Sequence, residues 1–197
     1  MSCGFHVATD TCYGCKTCTV ACANEHLLPA GVLLRRVRQI DVADPIGHAF
    51  ISMACNHCDD PACLNNCPVQ AYTKLDNGLV VQDHDLCIGC QACIEACPFH
   101  APAYNEQDST TYKCDGCIDR LNQGLEPVCM MVCPSANIAF SENFESLSET
   151  FAEAQSIKDQ SATKPNMIAT LDSDISIEAF ADIDGGEGVV DRGGENY

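Results

Sequence analysis

Apolar and polar positions in this chain fall into short runs separated by turn residues, and the longest apolar stretches, such as Gly78 to Val81, are only strand-sized. Val32 to Ile40 (VLLRRVRQI) and His48 to Ala54 (HAFISMA) read as a pair of strands, connected by residues 41–47 with their proline. Tyr72 to Leu75 and Leu79 to Gln82 flank Asp76-Asn77-Gly78, a hairpin signal because Asn-Gly tolerates the positive backbone angles of a tight turn. Residues 98–113 (PFHAPAYNEQDSTTYK) carry two prolines and many polar groups, and read as a loop or an extended segment over the surface. Ser135 to Phe140 (SANIAF) reads as a closing strand. Beyond Ser141 the spacing turns helical: Phe144, Leu147, Phe151 and Ala154 form one stripe, and Ile168, Leu171 and Ile175 a second. Those stripes are expected to pack on the preceding body or on a partner. The Gly-rich, acidic end, GGEGVVDRGGENY, is expected to be mobile over roughly its last 12 residues.

The cysteines organise what lies between these elements. Sixteen of the seventeen form four runs: Cys12, Cys15, Cys18, Cys22; Cys55, Cys58, Cys63, Cys67; Cys87, Cys90, Cys93, Cys97; and Cys114, Cys117, Cys129, Cys133. Runs one and three read CxxCxxCxxxC, the spacing in which three thiolates clasp one cubane and the fourth reaches to a second. A loop can wrap three soft ligands around a cluster, which a single helix or strand cannot do. The fourth cysteine precedes proline in three runs, at Pro68, Pro98 and Pro134, so one structure ends there and the next is redirected. In runs two and four the longer gaps, DDPA and IDRLNQGLEPV, leave the ligand count unchanged. Four runs imply four 4Fe-4S clusters. A zinc-binding scaffold would use the same sixteen thiolates, but it does not call for the third and fourth cysteines at these spacings.

Composition limits the alternatives. Tyr and Phe total twelve and Trp is absent, so the core has little aromatic mass, and metal is expected to supply cohesion. A disulfide scaffold requires an oxidising compartment, and the start, MSCGFHVATDTCYGCK, has no basic segment followed by an apolar one. The net charge of -18 weighs against nucleic acid as a partner. Oxidised clusters would deepen it by about two charges each. The basic cluster Arg35, Arg36 and Arg38 alternates with Val37 and Ile40, which favours a solvated strand face over a docking patch for an acidic partner. The last 57 residues hold thirteen acidic and three basic residues and no cysteine. No run of about 18 apolar residues is present, so no direct membrane span is expected.

The chain resembles the iron-sulfur electron-transfer (beta) subunits of the dimethyl sulfoxide reductase family of molybdopterin oxidoreductases. The likeness covers roughly residues 4–140, and four blocks carry it: CxGCKTC at Cys12 to Cys18, SMACNHCDDPAC at Ser52 to Cys63, DLCIGCQACIEACPFHAPAYNE at Asp85 to Glu106, and KCDGCIDR at Lys113 to Arg120. The resemblance implies a ligand pairing that spacing only suggests. One cluster would take Cys12, Cys15, Cys18 and Cys133, and its neighbour Cys114, Cys117, Cys129 and Cys22. The second pair would take Cys55, Cys58, Cys63 with Cys97, and Cys87, Cys90, Cys93 with Cys67. Related nitrate reductase subunits put tryptophan at the position of Cys90 and hold a 3Fe-4S cluster; the cysteine here implies four cubanes. The implied partner is a molybdopterin-containing catalytic subunit, with a membrane anchor subunit or a soluble electron donor at the other end of the relay. The subunit would have no catalytic site of its own. A four-cluster subunit of a formate dehydrogenase or formate hydrogenlyase type complex is the nearest alternative. The expected location is the cytoplasm, or export in the folded state with a partner bearing a twin-arginine signal.

The expected fold is α+β: two interleaved bacterial two-cluster ferredoxin-like modules with inserted strands, loop-rich and cluster-stabilised, plus an acidic C-terminal extension. The body would span 1–140, with an inner module at 55–97 and an outer one joining 12–22 to 114–133, and the extension 141–197. Two departures from the family pattern stand out: Cys22 is followed by Ala23 rather than proline, and the acidic extension has no counterpart in the resemblance. Cys3 lies outside every run and is read as a free thiol. His57, between two cysteines of run two, and His100 read as surface histidines or as neighbours of a cluster, and His6, His26, His48 and His84 show no metal spacing. Asp59 and Asp60, in an Asp-Asp-Pro sequence, read as turn chemistry.

Overall fold

The structure, a computed structural model, describes residues 2–41, 48–157 and 161–171. The described residues fold into short strands and short helices threaded between cysteine loops. In order these are β1 (Gly4–Ala8), α1 (Thr17–Glu25), β2 (Arg36–Asp41), β3 (His48–Met53), α2 (Ala62–Asn65), β4 (Tyr72–Lys74), β5 (Val80–Gln82) and α3 (Ala92–Ala96). There follow β6 (Ala103–Asn105), β7 (Thr110–Tyr112), α4 (Ile118–Leu121), α5 (Val128–Met131), β8 (Ile138–Ser141), α6 (Phe144–Thr150), β9 (Gln155–Ser156) and β10 (Met167–Thr170). No described helix is long and apolar enough to cross a membrane.

Three two-stranded ribbons form. The pair β2–β3 runs antiparallel with Arg36 opposite Met53 and Asp41 opposite His48, and β4–β5 closes with Tyr72 opposite Gln82 around the Asn-Gly turn. The third ribbon, β6–β7, decides between the loop and the extended segment expected over 98–113, since 103–105 and 110–112 are extended and paired. Asn105 and Asp108 side chains accept bonds from the backbone of Gln107 and Thr110, at 3.2 Å each, and so build the turn between the two strands. Thr110 and Thr111 give β7 its strand preference, and the polar composition belongs to the turn.

The fourth sheet joins the two ends of the described residues in the order β8-β1-β10-β9. Strand β1 pairs antiparallel with β8 and parallel with β10, placing Phe5 opposite both Phe140 and Met167. Residues 4–8 give no strand signal in the sequence, because a five-residue run gains its support only from partners more than 130 residues away. The second apolar stripe of the tail is also corrected: Met167–Thr170 is a strand, so Ile168 faces α6 while Met167, Ala169 and Leu171 face the opposite cluster. The first stripe is helical at Phe144 and Leu147, whereas Phe151 and Ala154 follow the end of α6 and still pack on the same cluster; Asn143 caps α6 by accepting from the backbone N–H of Glu145 and Ser146. Phe144 and Leu147 of α6 pack with Ile168. A side chain at Gly4 would come within 2.1 Å of the Phe144 ring, so the approach of α6 to β1 requires glycine there. Ile175, the connection 42–47 and the Gly-rich end lie outside the described residues.

The largest apolar cluster includes Phe5, Val7, Ile51, Met53, Phe99, Ile138, Ile157 and Met167, with Cys18 and Cys129 among them. Cysteine sulfurs therefore belong to the core. Cys3 is fully buried, and burial pushes its thiol up to about 12 against the pull of Lys74.

Candidate metal centres

The four cysteine runs fold into the same local shape. Two residues after the first cysteine, the backbone is left-handed in every run: Gly14 (φ 72°), His57 (φ 43°), Gly89 (φ 66°) and Gly116 (φ 76°). At Gly89 the requirement is steric as well, since a Cβ would lie 1.9 Å from the Ser109 carbonyl oxygen. His57 holds the conformation without being glycine. The turn aims N–H groups at sulfur: His57 N donates to Cys55 Sγ and Gly116 N to Cys114 Sγ, both at 3.4 Å. The third cysteine is the second residue of a helix in all four runs, Cys18 in α1, Cys63 in α2, Cys93 in α3 and Cys129 in α5, and all four are buried.

The fourth cysteines show what proline does. Three residues past Cys67, Cys97 and Cys133 the backbone is left-handed again, at Gln70, His100 and Ala136. One residue later an N–H turns back onto the cysteine: Ala71 to Cys67 at 3.3 Å, Ala101 to Cys97 at 3.5 Å and Asn137 to Cys133 at 3.3 Å. Cys22, with alanine after it, sits inside α1, which continues to Glu25.

Long-range folding brings sulfurs from different runs together. One cavity is lined by Cys55, Cys58, Cys63 and Cys97, and another by Cys12, Cys15, Cys18 and Cys133. Cys22 is held beside Cys117 and Cys129, and α1 packs on α5. Cys87 and Cys93 both contact the Thr111 hydroxyl, at 3.4 and 3.7 Å, and Cys93 shares an apolar cluster with Cys67. Cys90 and Cys15 are the exposed cysteines of the protein.

Burial opposes ionisation of most of these thiols. Burial pushes the Cys58 and Cys63 thiols up to about 12, with neighbouring Cys55 adding to it. Burial pushes Cys22 up to about 12 and Cys117 to about 11, and raises Cys114 well above its usual value. Burial also opposes ionisation of Cys87, but the Thr110 and Thr111 hydroxyls and backbone N–H groups outweigh it and bring the thiol down to about 7. Most of these thiols stay protonated without metal, so metal binding must expel protons.

Two buried cations stand among the sulfurs. Lys113, 5% exposed, donates to Cys55 Sγ at 3.4 Å and to the carbonyls of Val80 and Cys114. Arg35, 2% exposed, donates to Ser52 Oγ at 3.1 Å and lies 5.3 Å over the Phe5 ring. Burial alone would lower both; the surrounding cysteine sulfurs raise them instead, Cys55, Cys114 and Cys63 around Lys113, and Cys129, Cys114, Cys18 and Cys22 around Arg35. Among the described residues neither has a carboxylate partner. An unpaired buried cation is costly, so these positions fit an anionic thiolate-bound group. The Asn56 side-chain amide, 3% exposed and with no bonded partner at its nitrogen, lines the Cys55 cavity and offers a further donor to such a group. The residues present therefore fit iron-sulfur clusters.

The reading of Arg35 as part of a solvated strand face is thus corrected. It precedes β2 and is buried among sulfurs, whereas Arg36 and Arg38 are half-buried and Arg36 donates to the His100 carbonyl. His57 is fully buried, its Nδ1 accepting from Val80 N at 3.0 Å. His26, which shows no metal spacing in the sequence, places Nε2 3.3 Å from Cys117 Sγ and 3.8 Å from Asp115. Asp60 accepts from the nearby Asn65, whereas Asp59 accepts from Asn166, 107 residues away.

Comparison with known proteins agrees with this geometry. Residues 46–143 match the 4Fe-4S dicluster domain family. One chain of the anaerobic dimethyl sulfoxide reductase of Escherichia coli K12 is 37% identical over 177 residues, covering 84% of this protein and 86% of the relative. The protein belongs to the iron-sulfur subunits of the dimethyl sulfoxide reductase family. The chain of the same name from Haemophilus influenzae, 34% identical, covers 84% of this protein and 87% of its own length. A tetrathionate reductase subunit of Salmonella typhimurium is 39% identical over 62% of this protein and 50% of the relative. Electron-transfer subunits of this family carry 4Fe-4S clusters in ferredoxin-type domains, and the described fold has the loop-rich mixture of helix and strand that such domains show.

Proposed function

We propose that this subunit carries electrons through four 4Fe-4S clusters between an external donor or acceptor and a catalytic subunit holding a molybdenum or tungsten bis-pterin cofactor. The observation that carries the reading is that two cavities each gather three cysteines of one run and a fourth from a distant run, Cys97 and Cys133. The ligand sets we assign are Cys12, Cys15, Cys18, Cys133; Cys114, Cys117, Cys129, Cys22; Cys55, Cys58, Cys63, Cys97; and Cys87, Cys90, Cys93, Cys67. The organisation that follows is a pair of interleaved two-cluster modules within residues 1–140, and an acidic extension over 141–197. Bound clusters supply one-electron redox chemistry. The protein's own residues hold them, orient N–H groups and hydroxyls toward their sulfurs, and place Arg35 and Lys113 between successive sites.

The relatives are reductase subunits, which favours a reductase complex over a formate dehydrogenase type, with a sulfoxide, N-oxide or sulfur oxyanion as the partner's substrate. The complex would include a membrane anchor subunit or take electrons from a soluble donor, and its catalytic partner would decide whether it works in the cytoplasm or after folded export. Iron and sulfide analysis of the anaerobically purified protein tests the count: roughly sixteen iron atoms per molecule, a brown colour and cluster signals in electron paramagnetic resonance are expected. A colourless protein with stoichiometric zinc would overturn the proposal.

A further inference from the structure

A segment of the acidic extension beyond α6 and β9 lies across the second cysteine loop. Residues 161–166 run beside 56–60, and backbone bonds join them: Asp59 N to the Lys164 carbonyl at 2.9 Å, Asp60 N to the Thr163 carbonyl at 3.1 Å, and Asn166 N to the Asn56 carbonyl at 3.0 Å. Asn166, fully buried, adds a side-chain clamp, donating to the His57 carbonyl at 2.9 Å and to Asp59 Oδ1 at 2.8 Å. Thr163 lines the cavity of Cys55, Cys58, Cys63 and Cys97, which places its hydroxyl beside the Cys58 sulfur. That hydroxyl is itself held by Ser161 Oγ at 2.9 Å. Immediately after Asn166 comes β10, which is locked between β1 and β9.

We propose that residues 161–166 are a strap that closes the second cysteine loop, and that Thr163 and Asn166 are positioning residues for the cluster held by Cys55, Cys58, Cys63 and Cys97. The physical reason lies in the loop itself. Run two carries a two-residue-longer gap before its third cysteine and a histidine where the other runs have glycine. Such a loop leaves more backbone N–H and C=O groups to satisfy, and the strap satisfies those of Asn56, His57, Asp59 and Asp60. The extension then serves the relay directly: it fixes the geometry of one site and brings the Thr163 hydroxyl into its cavity as a donor for a cluster sulfur. A donor to sulfur favours the more negative, reduced state, so removing it shifts the midpoint potential of that site downward.

This inference rests on the ligand assignment given under Proposed function, and the test separates the two. In the cluster-loaded full-length protein, Thr163→Val is expected to shift one midpoint potential negative in a titration followed by electron paramagnetic resonance, and Thr163→Ser to leave it in place. The shifted signal should be the one that Cys58→Ser removes. Asn166→Ala should speed hydrogen exchange at the Asp59 and Asp60 amides roughly tenfold, the effect of losing about 1.4 kcal/mol of local closure. Unmoved potentials in Thr163→Val with unchanged exchange in Asn166→Ala overturn the strap while leaving the assignment standing. A shifted signal that persists in Cys58→Ser overturns the assignment.

Discussion

Replacing Lys113 by methionine keeps most of the side-chain volume and removes a buried positive charge from between two sulfur sites. The ammonium lies 3.4 Å from Cys55 Sγ and bonds the Cys114 carbonyl, so the set containing Cys55 and the set containing Cys114 both feel it. At that distance and an effective dielectric of about 20, a unit charge is worth about 5 kcal/mol. An added electron spreads over the whole cluster, farther away on average, and roughly half that value, ~2 kcal/mol, remains. That equals about 100 mV for a one-electron couple. In the loaded protein, Lys113→Met should therefore lower the potential of the cluster at Cys55 by about 100 mV and that of its neighbour at Cys114 by less, with the other two nearly unchanged. It also leaves the Val80 and Cys114 carbonyls without their donor, a loss of about 1–3 kcal/mol in stability for each. Lys113→Arg keeps the charge and should keep the potentials. Midpoint potentials that stay within about 20 mV in Lys113→Met, in a protein with its full iron content, would refute the claim that this cation biases the relay.

Three other outcomes follow from the same fold. Gly4→Ala drives a methyl into the Phe144 ring and the Asn166 carbonyl, so α6 must move; about 2 kcal/mol of destabilisation is expected, read as a lower melting temperature, and an unchanged melting curve would count against the packing of the extension on β1. His6, stacked on Phe151 at 3.7 Å and within 2.9 Å of Thr170 Oγ1, is lowered to about 4 by burial, against a smaller pull from Asp10. Its folded value lies below its unfolded one, so its contribution is present above about pH 6.5 and is lost as pH falls toward 4, about 2 kcal/mol by pH 5; denaturation of the wild-type protein and His6→Gln at pH 7 and pH 5 should show the difference, and parallel behaviour would refute it. Cys15→Ser or Cys90→Ser, each at an exposed cysteine, should remove or convert one cluster and stop turnover of the assembled complex; full turnover with that cluster absent would exclude a relay through it.

Much of the site was legible because its chemistry is local in sequence. Left-handed turns at Gly14, Gly89 and Gly116 and the stop after Cys67, Cys97 and Cys133 are encoded within a few residues, and the hairpin at Asn77-Gly78 is a two-residue signal. Lys113, Arg35, His26 and Thr163 carried no such signal. Each lies beside or outside its run, and only packing decides whether a charge or hydroxyl faces water or sulfur. The strand at Met167–Thr170 was misread as helix because a spacing of three and four residues fits a helical stripe as well as a short buried strand, and partner strands decide between them.

The sequence by itself determined the four cysteine runs, the loops that present their thiols and the family, because soft-metal coordination depends on residue type and on short spacings. Only the tertiary structure decided that Cys97 meets the second loop and Cys133 the first, that two cations are buried among the sulfurs, and that residues 161–166, leading into β10, lie across the second loop. Those are contacts between residues up to 164 positions apart. Their free energy comes from burial and hydrogen bonding in the assembled fold, and no short stretch of sequence contains both partners.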